Sequence, residues 1–244
     1  MAISSPPRRS EQATPRRRRT LVTALVLALI AALALATTAV VLLLRGGWPN
    51  SGMQGSGIEA TQSRALARFS RLDLAGSTTV TVVAGARQSV VVRADSNLIR
   101  QVTTRVADGT LIIGTTGSFT TRTPMSVQVR VPSLRAVTLS GSGAISVSGI
   151  EAPRLTVTLP GSGTLYLSGT ATQLDVTLGG SGLAQLSNLT ARDARAVVAG
   201  SGLIRVTATA SLNAIVSGTG AIIYGGDPPQ VTRNITGTGA VTPG

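Results

Sequence analysis

A triplet of the form Gly-Ser/Thr-Gly recurs along the second half of this 244-residue chain and constrains the fold more than any other feature. Successive copies begin 20, 19, 20, 18 and 19 residues apart. Repetition at a nearly fixed period of this length is typical of a solenoid, in which each copy forms one turn and the turns stack. The glycines of the six triplets are Gly141, Gly143, Gly161, Gly163, Gly180, Gly182, Gly200, Gly202, Gly218, Gly220, Gly237 and Gly239.

The residues that flank the triplets are apolar in every copy, two positions before the first glycine and four positions after it. The preceding column is Leu139, Leu159, Leu178, Val198, Val216 and Ile235, and the following column is Ile145, Leu165, Ala184, Ile204, Ile222 and Val241. Apolar residues also recur at further even offsets, and this period of two is that of a β-strand. The sequence therefore predicts an all-β solenoid over residues 135–244, with six copies that each form a strand, a glycine bend and a second strand.

Two physical reasons would place glycine on both sides of each bend. The corner requires either positive φ or a close approach of two backbones, and a β-carbon makes both costly. The small hydroxyl residue between the glycines would then form a ladder along the corner. A phosphate cradle is not expected, because neither a lysine nor a helical pattern follows any triplet.

Residues 66–134 lack triplets but alternate in the same way, as in Thr79–Val83 and Ser126–Val131. Turn residues such as Ala107-Asp108-Gly109 separate these runs. We expect this segment to supply the opening strands and the cap of the solenoid. The run Asn97–Gln101 predicts either a short helix or a twisted connection.

The N-terminal part of the chain predicts a membrane anchor. Residues 1–19 carry six arginines and one acid, which is typical of a disordered basic tail, and residues 20–44 form an uncharged apolar run. As a helix this run would span roughly 37 Å, enough to cross a bilayer once. The positive-inside rule places the tail in the bacterial cytoplasm and the rest outside the cytoplasmic membrane, after a flexible Gly/Ser-rich linker over residues 45–65.

A cleaved signal peptide is the alternative interpretation of this region. Ala34-Leu35-Ala36 resembles a small-residue cleavage site that follows an apolar stretch. The apolar run continues beyond it to Leu44, however, which favours a retained anchor.

Composition excludes most catalytic and metal-binding constellations. The chain contains no cysteine and no histidine, so the commonest general base and the commonest transition-metal ligands are missing. Gly179–Leu186 matches a calcium-binding nonapeptide except that Ala184 stands where the essential carboxylate belongs. We therefore expect no catalytic residues, no metal and no cofactor. With aromatic residues at 2% of the chain, nucleic acid is not an expected partner either.

The acidic residues of the repeats offer one candidate carboxylate pair, Asp175 with Asp193, but Arg192 and Arg195 are close in sequence and favour charge compensation instead. Glu151 and Asp227 fall about four turns apart, roughly 19 Å at the strand spacing, which is too far for a glycosidase carboxylate pair. Asp175 and Arg195 stand five residues before successive triplets. They are therefore predicted to be cross-strand neighbours that form a surface ion pair.

Outward positions in the third to fifth copies are apolar, where the first two copies carry mostly small and polar residues. These positions are Leu183, Val197, Leu203, Ile215 and Ile223. If they share an outer face, either the 66–134 segment or another subunit should cover them. We predict a contact patch that serves packing or homo-oligomerisation.

Three segments carry a resemblance to a known family. Arg68–Gly76, Asp108–Ile113 and Val127–Pro132 lead into the first Leu139–Gly143 signature. Over roughly residues 66–240 this arrangement resembles the head GIN domain family, which is named for auto-transporter adhesins. The resemblance implies a right-handed β-helix-like fold on the outside of bacterial cells, with no established activity. The auto-transporter part of the name is not carried over, since we expect an N-terminal helix to hold this chain.

The sequence thus predicts a non-enzymatic, membrane-anchored, adhesin-like binding or structural module of the bacterial cell envelope. Its expected partners are the membrane and an envelope polymer or protein. One alternative is an accessory or sensory partner in envelope signalling, in which the arginine tail touches a cytoplasmic protein. Another is a polysaccharide-processing β-helix enzyme, which would need clustered acids or a metal in one groove.

Overall fold

The structure, a computed structural model, describes residues 52–244, which contain seventeen strands and no helix. The predicted basic tail (1–19) and transmembrane helix (20–44) lie outside the described residues. In the described part of the chain no helix is long and apolar enough to cross a membrane.

The repeats build a stack of parallel strands. Each of the four long strands runs from one triplet to the next and pairs in parallel with the strand one turn later. The strands are β10 (Ala136–Leu139), β11 (Ala144–Leu159), β12 (Thr164–Leu178), β13 (Leu183–Val198), β14 (Leu203–Val216), β15 (Ala221–Gly225), β16 (Gln230–Ile235) and β17 (Ala240–Pro243). The six triplets thus mark the limits of five turns. The predicted all-β solenoid is confirmed.

Each turn contains a second bend that the triplets do not mark. The register between successive long strands shifts near the middle of each strand, for example between Val147 and Ile150. Gly149 and Gly169 lie at this bend with φ of 74° and 133°, values that favour glycine. Each predicted strand–bend–strand copy is therefore joined to the next by a bent but continuous strand.

The opening strands extend the same stack. β3 pairs in parallel with β10 and with β7, and β4 pairs in parallel with β11 and β9. The opening strands are β1 (Met53–Gln54), β2 (Glu59–Arg64), β3 (Arg71–Leu74), β4 (Thr79–Ala84), β5 (Ser89–Asp95), β6 (Val102–Ala107), β7 (Thr110–Thr115), β8 (Phe119–Thr120) and β9 (Ser126–Val131).

Antiparallel strands close this end of the solenoid. β5 pairs antiparallel with both β2 and β9, and β6 pairs antiparallel with β7. The connection Asn97–Gln101 is a turn rather than a helix, with the Gln101 backbone N–H donating to the Leu98 carbonyl at 2.8 Å. The segment therefore acts as both opening strands and cap.

The prediction of a flexible linker over residues 45–65 is wrong for its second half. Met53–Gln54 and Glu59–Arg64 are strands, and Glu59–Arg64 pairs residue by residue with β5. The sequence EATQSR is polar and mostly exposed, so main-chain hydrogen bonds rather than apolar burial hold it in the sheet.

The apolar columns that flank the triplets form the core. Every residue of both columns is buried except Ile235, which is 43% exposed. Ile235 belongs to β16, which pairs with β14 and with no other strand among the described residues. The last turn thus has no following layer to cover this side chain.

Candidate functional site

The triplet corners stack directly on one another. A β-carbon on either glycine of a triplet would collide with a backbone carbonyl one turn below, as Gly161 would with the Gly141 carbonyl oxygen. None of the triplet glycines has positive φ. Of the two physical reasons offered by the sequence, close backbone approach therefore accounts for these glycines.

The hydroxyl residues between the glycines form an exposed ladder. Its members are Ser142, Ser162, Ser181, Ser201, Thr219 and Thr238. Within the described residues only one hydrogen bond joins neighbouring members, donated by Thr219 Oγ1 to Ser201 Oγ at 2.9 Å. The other hydroxyl groups remain free to bond with solvent or with a ligand.

Polar side chains line the outer face before the corner, in register across several turns. Gln173, Asp193 and Ser211 form one column, and Asp175, Arg195 and Asn213 form the next. These residues surround a shallow cleft of about 280 Å³. Within it the Ser211 hydroxyl donates to Asp193 Oδ1 at 2.7 Å.

Asp175 and Arg195 lie directly opposite each other on β12 and β13, so the predicted alignment is confirmed. The predicted ion pair is wrong. Among residues 52–244 the only ion pair joins Arg192 Nε to Asp193 Oδ2, at 4.0 Å. Arg195 is exposed and stays hydrated without this partner. The protein loses little stability as a result, because surface ion pairs contribute only about 0–1 kcal/mol.

The five residues of the predicted contact patch fall on two faces, on either side of the corner. Val197 and Ile215 are register neighbours before it, and Leu183 and Leu203 are register neighbours after it. Ile223 pairs with Arg205, one outward position further along the second face. All five are half-buried.

The opening segment does not cover these apolar positions, because β3 and β4 extend the stack below β10 and β11 instead. Of the two coverings considered from the sequence, this excludes the 66–134 segment. Self-association through the patch stays a prediction.

Apart from Asp175 and Asp193, which line the same cleft, the acidic residues of the described chain are dispersed. Glu151 lies on β11, whereas Asp227 follows β15, with β12, β13 and β14 between them. Within residues 52–244 no three Asp, Glu, His or Cys side chains come close enough together to hold a metal ion. The described surface therefore supplies hydrogen-bonding and charged groups for binding, in a repeating arrangement.

Asp95 is the only charged side chain that is buried in the described part of the chain. Its carboxylate accepts hydrogen bonds from the backbone N–H groups of Gly57 at 2.7 Å, Arg122 at 3.0 Å and Thr123 at 3.2 Å. Burial alone would raise the pKa of Asp95, but the N–H donors of Arg122, Thr123 and Gly57 outweigh it and hold the pKa below its ordinary value. Through these hydrogen bonds the carboxylate connects the loop before β2 to the loop after β8.

The sequence does not single out Asp95, because Ala94-Asp95-Ser96-Asn97 has the composition of a turn between two strands. The only available signal was the position of Asp95 directly after the alternating run Val90–Ala94, where a strand still continues. Ala94 and Asp95 are both buried, so the alternation breaks at this point.

Residues 68–228 match the family model described as "Putative auto-transporter adhesin, head GIN domain". The match spans more than half of the chain. This chain belongs to the head GIN domain family. Among curated proteins, none matches the sequence.

Two solved structures share the fold of this head GIN domain. A crystal structure of a "putative adhesin" from Bacteroides fragilis is 21% identical, with 79% of this chain and 100% of that chain covered and a TM-score of 0.66. A crystal structure of a "Putative lipid binding protein" from Parabacteroides distasonis is also 21% identical. There 80% of this chain and 100% of that chain are covered, with a TM-score of 0.54.

Proposed function

We propose that this protein is a non-enzymatic, membrane-anchored, adhesin-like binding module on the outside of the bacterial cytoplasmic membrane. The observation that carries the proposal is the stacking of outward side chains into columns. Register partners such as Gln173, Asp193 and Ser211 recur one strand spacing apart, at about 4.8 Å. Membership of the head GIN domain family supports an adhesin-like role.

Such a surface suits an extended envelope polymer better than a compact small molecule. A polymer that lies along the stack would contact several turns, and individually weak contacts would add through multivalency. The described clefts on the repeat faces, one lined by Asp175 and Asp193 and one by Glu151, are shallow and open to solvent. The hydroxyl ladder and the polar columns would supply hydrogen bonds to the polymer.

A non-enzymatic role is supported by the same side chains. A polysaccharide-processing enzyme would need two carboxylates about 5–9.5 Å apart across one groove. Within residues 52–244, Glu151 and Asp227 are separated by three intervening strands. Asp175 and Asp193 do line one cleft, but Arg195 is the register partner of Asp175, and Asp193 accepts a hydrogen bond from Ser211 and lies beside Arg192.

Anchoring and orientation can be tested with introduced cysteines, because the chain has none of its own. Ser142 is exposed at the first triplet corner, and Ser5 lies in the basic tail. In intact cells we expect a membrane-impermeant maleimide to label Ser142→Cys, and to label Ser5→Cys only after permeabilisation. Labelling of Ser5→Cys in intact cells would contradict the proposed orientation. Absence of the N-terminal segment that contains Ser5 from the mature protein would indicate cleavage.

Self-association is a second candidate role, favoured by the half-buried apolar neighbours Val197 and Ile215 on the face before the corner. Thr177, one turn before Val197 in the same column, shows that threonine is compatible with this position. In the full chain we expect Val197→Thr with Ile215→Thr to lower the molar mass measured by light scattering. Thr158→Ser with Thr177→Ser, on the same face, is the matched control. A wild-type monomer, or an unchanged oligomer in the patch variant, would contradict this role.

A further inference from the structure

Five arginines from four separate parts of the sequence come together at two neighbouring clefts. Arg68 and Arg87 line one cleft of about 440 Å³, called here the Arg68 cleft. Arg71, Arg135 and Arg154 line another of about 430 Å³, called the Arg71 cleft. Both volumes lie in the range of ligand sites. These arginines stand singly in the sequence except for Arg68 and Arg71, so their clustering is a product of the fold.

The two clefts lie on either side of one contact between the opening segment and the repeats. The backbone N–H of Arg135 donates to the Ser70 carbonyl at 2.8 Å, which holds residues 68–71 beside residues 132–136. Arg71 is on β3, Arg135 directly precedes β10 and Arg154 is on β11. These are three successive layers of the stack, so their backbones are about 4.8 Å apart from one layer to the next.

No carboxylate neutralises the basic clefts. The described residues that line them include no aspartate or glutamate. The one ion pair of residues 52–244 is elsewhere, between Arg192 and Asp193. Arg154 does donate from Nε and Nη2 to Gln173 Oε1, at 2.9 and 2.6 Å, but that amide is neutral. The guanidinium charges of the clefts are thus left uncompensated by direct partners.

The walls of the Arg68 cleft are held in place by the core and by a side-chain amide. Phe69 lines the cleft and is buried in the core. Gln88 Nε2 donates to the carbonyls of Leu66 and Ala67, at 3.2 and 2.9 Å. These contacts fix the segment that carries Arg68. The cleft is therefore a shaped part of the fold rather than a gap between loose side chains.

We infer that the basic clefts bind an extended polyanion, a polysaccharide or polyol polymer with phosphate or carboxylate groups on successive units. Guanidinium groups bind both anions through paired N–H donors, and arginine suits this role better than lysine. A chain that crosses the Ser70–Arg135 contact would place one anionic group in each cleft. This inference deepens the proposed function and rests on it, because it names the class of polymer.

The test compares two triple variants of equal charge. Arg71→Gln/Arg135→Gln/Arg154→Gln removes three charges from the Arg71 cleft, and Arg93→Gln/Arg100→Gln/Arg105→Gln removes three exposed arginines that line neither cleft. The full chain is used in nonionic detergent. The six arginines of residues 1–19 are replaced by glutamine in every sample, so that the tail cannot contribute. Circular dichroism and thermal melting check that each variant is folded.

Affinity is measured by calorimetry for poly(glycerol phosphate) and for a polyuronate, which distinguish phosphate from carboxylate as the recognised group. We expect the cleft variant to bind at least one polymer about tenfold more weakly or worse, because charge-assisted hydrogen bonds are lost, while the control variant keeps the parental affinity. Arg68→Gln/Arg87→Gln should weaken the same interaction.

Equal affinities of the cleft and control variants would overturn the inference, as would a parental protein that binds neither polymer. Preferential binding to single-stranded nucleic acid or to vesicles of anionic lipid would also overturn it. The proposed function would survive these outcomes if the same cleft variant still binds isolated sacculi, so the two failures are distinguishable.

Discussion

At the residue scale, two adjacent glycines of one corner have very different surroundings. A β-carbon on Gly180 would collide with the Gly161 carbonyl oxygen, whereas one on Gly179 would meet nothing nearer than Pro160 Cα at 3.8 Å. Neither glycine has positive φ, so backbone strain does not separate them. Comparing Gly179 with Gly180 therefore separates the close approach of stacked corners from backbone strain, and close approach is the reason for the triplet glycines.

We therefore expect Gly180→Ala to destabilise the protein by about 1–3 kcal/mol, as overpacked sites do. Gly179→Ala should leave the stability within about 0.5 kcal/mol of the parent, or raise it slightly through the unfolded chain. Urea denaturation of both variants measures the difference. Equal effects of the two substitutions would show that the corner tolerates a β-carbon and that close approach is not the constraint.

The buried carboxylate of Asp95 links stability to pH. Since the pKa of Asp95 is lowered in the folded protein, its stabilising contribution is present above the unfolded pKa and is lost as the pH falls through the folded pKa. Asp95→Asn replaces one acceptor oxygen by a donor facing backbone N–H groups. The substitution should destabilise the protein at neutral pH.

The difference in unfolding free energy between the parent and Asp95→Asn should then shrink below about pH 4, where the unfolded carboxyl becomes protonated. Asp108→Asn is the control, because Asp108 is exposed and asparagine tolerates its φ of 48°. Denaturant titrations at several pH values measure both. A destabilisation by Asp95→Asn that is the same at pH 3 and pH 7 would contradict this account.

At the element scale, the contribution of an apolar side chain to stability depends on which turn of the stack it belongs to. Leu159 and Ile235 occupy the same column, but Leu159 is fully buried whereas Ile235 is 43% exposed. The difference arises because β11 has layers on both sides and β16 has one.

Leu159→Ala should cost about 2–5 kcal/mol of stability, through lost burial and the cavity left behind. Ile235→Ala should cost less than about 1 kcal/mol. Denaturation midpoints of the two variants provide the comparison. A large loss for Ile235→Ala would mean that something covers the last turn, such as a second copy of the chain.

The regular elements of this fold could be predicted from sequence, and the irregular ones could not. Leu139, Leu159 and Leu178 recur with the triplets because each turn repeats the same packing problem. The second bend has no fixed residue: Gly149 and Gly169 mark it in two turns, while β13 and β14 shift register there without a positive-φ glycine. Strand β2 was missed because its polar residues are held by main-chain pairing.

The site was harder to predict than the fold, for reasons visible in particular residues. The register of Asp175 with Arg195 followed from the repeat, but whether their side chains meet depends on rotamers that no spacing specifies. Arg68 and Arg87 converge within the opening segment, and Arg71 joins Arg135 and Arg154 through the pairing of β3 with β10; neither contact carries a periodic signal in the sequence.

At the scale of the whole molecule, the two ends of the described solenoid differ. Antiparallel strands close the end formed by the opening segment, whereas β16 and β17 each have one partner strand within residues 52–244. Pro243 in β17 and Pro228-Pro229 before β16 limit further pairing at this edge, since proline lacks a backbone donor. The long faces between the ends remain available for binding.

The central claim is that these faces bind an envelope polymer without altering it. The most direct test is co-sedimentation of the full chain with isolated bacterial sacculi in nonionic detergent, with the tail arginines replaced by glutamine. We expect the protein to pellet with the sacculi at about 50 mM salt, to be released at about 500 mM salt as charges are screened, and to leave the sacculi chemically unchanged. Protein that stays in the supernatant at both salt concentrations, or sacculi that are degraded, would contradict the claim.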